Sequence, residues 1–596
     1  MAHGWNSAGR RAVGLAGIAW ALVAGHASAL CAQTVDGGDR VPPRAAAAHS
    51  RPAVRGAAAP VTSDRIARAR DAEPQNWLTY YGAYDGQRYS RLDQITVRNA
   101  ARLGVAWQKD FAKQTPEARE QAFEAAPLVV DGVMYLTTGG QTAVYALDAR
   151  TGRELWKHET HVSDSLPLCC GWANRGVAVA DGRVYFVTLD AALHALDASN
   201  GREVWRAPLA DPRAGYSATV APLVVKDLVL VGISGAEYGI RGFIDAYDLR
   251  TGQRRWRFNT VPGPGEPGHE SWQAPESWRT GGGAAWITGS YDPALNLVYW
   301  GVANPGPDLN GAVRPGDNLY TNSVVALDAD RGTLRWHFQT TPHDLWDYDN
   351  YENVLADVTV NGQPVKALLV APKNGFLYTL DRATGRFLSA RPYARVTWAT
   401  GIDATTGRPQ VDSQAIPGPA YVPVCPSVDG AKSWNHMAYS PDTRWVYIPV
   451  NENCHHVRSG QPYYVPGQPF FGGDVDRKYG GPDEEYGALR AVDVATGRQM
   501  WQVKSKYPVV TSALATAGGL VFWAEAQGVV HATDARSGRD VWTYQSDVGV
   551  HGNPVTYAVD GEQYVAVPMG VGGPALSEYK PFLPKGHRLV VFKLPR

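Results

Sequence analysis

Two of the five cysteines in this 596-residue chain are neighbours, Cys169 and Cys170, in 166-LPLCCGWANRG-176. A structural disulfide usually joins distant segments and removes entropy from the unfolded chain. Neighbours enclose no loop. Their Cα atoms sit ~3.8 Å apart, below the ~4.4–6.8 Å of ordinary disulfides. The pair is therefore either two buried thiols or a strained ring, and such strain collects at functional sites. A second group of residues offers hard oxygen. Glu237 lies in 234-SGAEYGIRG-242, Asn304 in 303-ANPGP-307 and Asp317 in 314-RPGDNLYT-321. Oxygens of this kind hold Ca²⁺, although a lone carboxylate in a Pro-Gly turn also serves as a turn former. Several chemistries are missing from the string: there is no C-x-x-C-H for covalent haem, no H-E-x-x-H and no Walker loop. The segment 263-GPGEPG-268 matches G-x-G-x-x-G, but Pro264 and Pro267 forbid the helix that must follow.

These groups are spread over more than a hundred residues, so a repeated scaffold must bring them together. The pattern D-x-x-x-G-x-x-x-W occurs at Asp148-Gly152-Trp156, Asp197-Gly201-Trp205, Asp248-Gly252-Trp256, Asp328-Gly332-Trp336, Asp493-Gly497-Trp501 and Asp534-Gly538-Trp542. Asp381-Gly385 keeps its first half, and Trp107 reads as the closing strand of an additional unit. Each copy follows an alternating strand such as 143-AVYALDA-149, which makes strand, turn and Trp-bearing strand a hairpin. The Asp-to-Asp spacings are 49, 51, 80, 53, 112 and 41. A period of about 40–50 residues predicts an all-β propeller of about eight blades. The recurring Trp rings are expected to pack between blades. The 112-residue gap has room for a hidden unit, with 437-MAYSPDTRWVYIPV-450 as two of its strands, and the 80-residue gap marks an insertion near 261–320.

Composition agrees with this reading and excludes others. Twenty Trp, 63 Gly and 41 Pro suit short strands and tight turns. Lys plus Arg and Asp plus Glu number 57 each, a balance that argues against nucleic acid or an anionic membrane as partner. Arg10 and Arg11, the apolar run 12–25 and Ala27-Ser28-Ala29 read as an export signal, too short to span a membrane. The predicted divisions are a signal peptide over 1–32, a disordered linker over 33–75 and the propeller over 76–596. Export implies the periplasm, where disulfides persist.

From about Trp77 to its C-terminus the chain resembles the pyrroloquinoline-quinone (PQQ)-dependent alcohol dehydrogenases, exported eight-bladed propellers. The resemblance rests on 77-WLTYYGAYDGQRYSRLDQI-95, the CC pair with 174-NRG-176, the SGAE, NPGP and RPGDN segments, 342-PHDLWDYD-349 and 373-KNGFLYTLDRATG-385. It implies a vicinal disulfide between Cys169 and Cys170 on one face of the quinone and Trp286 on the other. Arg175, Lys373, Glu124, Thr219, Ser234, Gly235, Ala236 and Asn435 fit further cofactor contacts. Glu237 and Asn304 match the metal ligands, with Asp317 both beside the metal and acting as general base for hydride transfer. Relatives that use lanthanides carry a second Asp two residues after the catalytic one. With Asp317 in that role the position is Leu319, and the resemblance then implies Ca²⁺.

Cys425 and Cys454, 29 residues apart, match a second disulfide of the family. Metal binding by Cys454, His455 and His456 is the alternative and lacks a fourth ligand. His343 and Asp344 are expected to organise either the surroundings of the site or a blade edge. The implied substrate is a small-molecule alcohol, and the implied acceptor is a separate one such as a periplasmic cytochrome c. A polyol, sugar or polymer-alcohol dehydrogenase of the same family and a non-catalytic propeller scaffold are the alternatives. One departure stands out: in 509-VVTSALATAGG-519 the aromatic that usually borders the cofactor is missing, with Val510 nearest its place. A wider cavity is expected.

Overall fold

The computed structural model describes residues 60–111, 121–139, 142–169, 171–360, 362–477, 486–573, 576 and 579–596. The expected signal peptide and most of the expected linker lie outside these residues. Eight antiparallel sheets follow in chain order. Blade 1 spans 128–159, blade 2 178–208, blade 3 223–259, blade 4 290–339, blade 5 354–392, blade 6 438–505, blade 7 514–545 and blade 8 555–593. The ring closes as Trp107 suggested. Its strand, Gly104–Asp110, pairs antiparallel with Arg588–Lys593 as the outer strand of blade 8. No helix among the described residues is long and apolar enough to cross a membrane.

The repeat explains how blades pack. Each motif Asp accepts hydrogen bonds from the backbone of the turn it begins, as Asp148 Oδ1 does from Arg150 N and Thr151 N at 3.1 and 3.0 Å. The motif glycines all have φ between 67° and 74°, a left-handed conformation that residues with a Cβ rarely adopt. They are also where the next indole lands. A Cβ on Gly152, Gly201, Gly252, Gly332, Gly385 or Gly538 would press on Trp107, Trp156, Trp205, Trp256, Trp336 or Trp501 of the preceding blade. Most of these indoles also donate Nε1–H to a backbone carbonyl of the next turn, as Trp156 does to Ala198 at 2.9 Å. Trp542 of blade 7 donates to Leu103 at 3.1 Å, which ties the last motif to the closing strand. At Asp381-Gly385, where the Trp is missing, the stem of Arg391 takes its place against Gly497.

Two expectations need correction. Residues 437–450 do not form a hidden blade. Ala438–Ser440 and Trp445–Asn451 are the first two strands of blade 6, whose motif is Asp493-Gly497-Trp501. The long spacing is filled instead by excursions, among them Ala399–Ile402 paired with Pro409–Val411, and a three-stranded sheet of Val422–Val424, His455–Ser459 and Gly473–Asp476. The end of the expected linker is ordered. A helix, Ser63–Ala72, is capped by Thr62 Oγ1 and buries Ile66 and Ala69 in the core shared by blades 1 to 4. Its two apolar contacts, three residues apart, are too few to give a visible period in so polar a segment. The 80-residue gap holds insertions as expected, with the stretch between Asn259 and Ser290 built of turns and 3-10 segments.

Residues 77–95 pack across several blades, and within them Tyr89–Ser90 adds a short parallel strand to blade 7 beside Leu514–Thr516. Trp77, Tyr80, Tyr81 and Arg88 are fully buried there. Arg88 donates to the carbonyls of Ala513 and Pro554, and Tyr81 Oη donates to Thr288 O at 2.5 Å. Gly332→Ala adds a Cβ where the Trp256 indole lies and forces a positive φ on alanine. A loss of about 1–3 kcal/mol is expected in denaturant unfolding. Gly132→Ala, at φ 84° with nothing within 4 Å of the added Cβ, is expected to lose less.

Candidate active site

In a four-stranded meander the start of strand one, the end of strand two and the start of strand three lie at the same end. The site residues occupy these positions in consecutive blades. Glu124, Arg175, Thr219, Trp286, Asp347, Asp349 and Asn435 precede first strands of blades 1 to 6, while Glu237, Asn304 and Lys373 lie between second and third strands of blades 3, 4 and 5. Convergence therefore follows from strand order.

Two neighbourhoods result. In the first, Arg175 is buried and pairs with Glu124 at 2.6 Å, while its Nη1 donates to Thr219 Oγ1 at 2.6 Å. Thr219 Oγ1 lies 3.0 Å from Ser234 Oγ. The Arg175 guanidinium also lies over two indoles, 4.7 Å from the Trp286 ring centre and 5.3 Å from that of Trp434. Its Nε has no hydrogen-bond partner. Burial raises the Glu124 carboxyl above its ordinary pKa against the pull of Arg175. Gly235 has φ 115° and opens the turn that carries Ala236 and Glu237. Ala236, Ala284 and Ala303 pack together against Trp286, a small-residue floor beside the indole. Asn435 is buried but engaged: it accepts from Ser433 N and donates to Val509 O, so it shapes its own loop.

The second neighbourhood is acidic. Lys373 Nζ lies 2.8 Å from Asp347 Oδ2 and 3.6 Å from Asp349 Oδ2. Asp349 Oδ1 accepts from Asn304 N at 2.6 Å, and Tyr351 Oη donates to its Oδ2 at 3.3 Å. Glu237 and Asp308 join the group electrostatically. Burial raises both, and Asp349 raises both further. Asp347 lies well above the ordinary carboxyl range, through burial first, with Lys373 opposing and Asp349, Asp308 and Glu237 adding to the rise. Burial alone would lower the Lys373 ammonium, but Asp347 and Asp349 outweigh it and hold the pKa well above normal. Three buried oxygens, Asn304 Oδ1, Asp308 Oδ1 and Asp347 Oδ1, accept no hydrogen bond. Unpartnered hard oxygens beside further carboxylates are the donor set of a multivalent hard cation. As they stand, no three acidic, His or Cys side chains among the described residues meet around one point.

Asp317 is not part of this group. Its carboxylate is 43 % exposed and forms a two-pronged pair with Arg408, 3.0 Å on each oxygen. It sits later in the same second-to-third-strand connection of blade 4 that carries Asn304, turned to the surface by Arg408. The expectation of a place for Asp317 beside the acidic group is not met: the carboxylates beside Lys373 are Asp347 and, two residues on, Asp349. Asp347 and Asp349 stand in 342-PHDLWDYD-349, beside the His343 and Asp344 that its sequence brings forward. Those two shape the loop: Asp344 Oδ2 accepts from Tyr348 N at 2.9 Å, and His343 Nδ1 lies 2.8 Å from Gly316 O. Asp308, one residue past NPGP, was also missed. Cys169 takes part in a disulfide, and Cys170 lies outside the described residues. Cys425 and Cys454 are joined, which ends the alternative of a metal site on Cys454.

Behind the site, Lys432 and Glu352 form a fully buried pair at 2.6 Å, with His436 Nδ1 3.4 Å from the same Glu352 oxygen. Lys432 Nζ also donates to Ser433 O and Asn435 O, which fixes the loop carrying Trp434.

An eight-bladed ring whose blades bring together a buried guanidinium over two indoles and a buried acidic group around one ammonium belongs to the ligand-binding propellers by its architecture. The model of the PQQ glucose/ethanol/alcohol dehydrogenase β-propeller domain matches residues 77–390 and 482–565. Quinoprotein alcohol dehydrogenase PedH of Pseudomonas putida is 38 % identical over 558 residues, 88 % of this chain and 92 % of that one. The lanthanide-dependent methanol dehydrogenase of Methylacidiphilum fumariolicum is 36 % identical over 84 % of this chain and 86 % of its own. Among solved structures, a europium-containing methanol dehydrogenase superposes with a TM-score of 0.83 at 35 % identity, covering 89 % of this chain and all of that one. The chain belongs to the PQQ-dependent alcohol dehydrogenase family, oxidoreductases acting on CH–OH donors.

Glu352→Gln leaves the Lys432 ammonium buried without its counter-charge. A loss of ~3–5 kcal/mol is expected by denaturant unfolding. Adding Lys432→Met is expected to recover part of that loss, since it removes the orphaned charge.

Proposed function

We propose that the protein is an exported dehydrogenase that oxidises an alcohol to its aldehyde or ketone, with Asp347 as general base and a trivalent lanthanide ion favoured over Ca²⁺. The observation that carries this reading is Asp347 itself. Lys373 holds one carboxylate oxygen at 2.8 Å, and the other is buried without a partner. That second oxygen is placed to accept a substrate hydroxyl proton. Asp349 supplies the extra carboxylate two residues on that Leu319 did not. Glu237, Asn304, Asp347 and Asp349 would hold the metal ion. The names of two relatives, lanthanide-dependent and europium-containing, agree with this choice.

When bound, the quinone supplies a two-electron acceptor for the carbinol hydride, and the ion a Lewis acid at its carbonyl. The chain supplies the rest. Trp286 offers a flat apolar wall, and Cys169 with Cys170 is proposed as the other. Arg175, Thr219 and Ser234 supply the polar contacts for carboxylates and carbonyls. Lys373 orients Asp347 and keeps a positive charge beside the reacting centre. Buried surroundings exclude water and strengthen each of these interactions. Reoxidation falls to a separate acceptor, for which a periplasmic cytochrome c is proposed. Val510 is buried among Ala526, Leu576, Tyr579 and Leu583. It is aliphatic where an aromatic is usual, which supports a substrate larger than ethanol.

Enzyme loaded with PQQ and La³⁺ is expected to reduce a dye in an alcohol-dependent way. Asp347→Asn is expected to lose about 10²–10⁴ in turnover, while Asp317→Asn stays close to wild type. The reverse ranking returns the base to Asp317. Under the same assay Ca²⁺ is expected to support less turnover than La³⁺, and Asp349→Ala to remove the lanthanide's advantage. Full activity with Ca²⁺ and none with La³⁺ defeats the choice of metal. A series of alcohols of increasing size in that assay tests the wider cavity, which fails if ethanol outpaces every longer or cyclic alcohol.

A further inference from the structure

Asp308 is an acid of the cluster that forms no ion pair with a cation of the described residues. It directly follows 303-ANPGP-307 and is 3 % exposed. The nearest guanidinium, that of Arg314, is spent on other acceptors. Its Nε donates to Pro307 O at 3.0 Å, Nη1 to Asn318 Oδ1 at 2.9 Å, and Nη2 to Asp308 O and Asp344 O at 3.2 and 2.5 Å. Arg314 thus grips the backbone of Asp308 and leaves its carboxylate alone. Lys373 is likewise committed to Asp347 and Asp349. Asp308 Oδ1 is buried with no hydrogen-bond partner. The charges that act on it are those of the acidic pocket: Glu237 and Asp349 raise its pKa beyond the effect of burial, and Lys373 and Arg314 oppose them. Asp347 feels Asp308 more strongly than it feels Glu237. A buried carboxylate in the field of other carboxylates is costly unless a cation accounts for it.

We propose that Asp308 is a further carboxylate ligand of the metal ion, a reading that rests on the metal site proposed above. The pocket then sets four carboxylates, Glu237, Asp308, Asp347 and Asp349, against the one ammonium of Lys373. So many hard anionic oxygens in one pocket are a stronger match for a trivalent ion than for a divalent one. Asp308 also reaches the ion from the second-to-third-strand connection of blade 4, the connection that carries Asn304, whereas Asp347 and Asp349 come from the entry to blade 5. Two consecutive blades would each contribute a pair of ligands, and blade 3 would contribute Glu237.

The test is Eu³⁺ luminescence of the PQQ-loaded enzyme, with lifetimes in H₂O and D₂O to count the waters on the ion. The set is wild type, Asp308→Asn, Asp308→Glu and Asp349→Ala, each also titrated for Eu³⁺ affinity. Asp308→Asn is expected to weaken affinity by at least about tenfold and to raise the water count. Asp308→Glu, which keeps the carboxylate, is expected to restore affinity above that of Asp308→Asn, which separates ligation from misfolding. An unchanged water count in Asp308→Asn, with Asp349→Ala altered, overturns the ligand role and leaves the metal site standing. Affinity that falls with no change in water count overturns it equally, because Asp308 would then act as charge alone. Wild type that binds no Eu³⁺ defeats the metal reading first, and this inference with it.

Discussion

An indole laid on a glycine of the next blade is the contact on which the ring depends. It requires a residue without a Cβ, in the left-handed region, at the same place in each motif. The motif glycines meet both conditions, with φ near 70° and an indole where a Cβ would lie. The contact sets blade spacing, and the Trp Nε1–H bond to the facing turn adds direction to what would otherwise be a slippery apolar contact. Where the motif loses its Trp, the Arg391 stem covers the same glycine. The requirement is therefore for a flat or extended apolar body against an open backbone.

Regular spacing gives the inner ends of the blades a common depth. Charged groups that no single blade could bury are there surrounded by several. Lys373 with Asp347 and Asp349, Arg175 with Glu124, and Lys432 with Glu352 are three buried ion pairs. Pairs of this kind contribute little net stability, because desolvation offsets most of their attraction. Two of the three sit where cofactor and ion are proposed to bind. The third holds the Trp434 loop, whose ring faces the Arg175 guanidinium. Electrostatic cost is thus concentrated where the chemistry needs fixed charge.

Asp317 shows the limit of reading oxygen donors along a string. It sits in a polar Pro-Gly turn among recognised segments, and nothing local distinguishes it from a ligand. Its surroundings in the fold do: Arg408, 91 residues away, pairs with its carboxylate at the surface. Asp347 was masked for the opposite reason. It stands in an aromatic-rich segment that reads as packing, and its grouping with Lys373 and Asp349 appears only in the folded chain. Asp308 carries no local signal at all. Its meaning lies in burial without a partner.

Periodicity, motif glycines and tryptophans, the closing strand at Trp107 and the family itself could be read from the residues in order. Each of these depends on neighbours within a hairpin or on the recurrence of one hairpin. The helix at 63–72, the joining of 437–450 to the Asp493 motif as one blade and the membership of the acidic pocket could not be read that way. They depend on which segments a closed ring brings side by side. A carboxylate's exposure, its partner and its protonation are properties of that assembled neighbourhood, to which residues from three blades contribute.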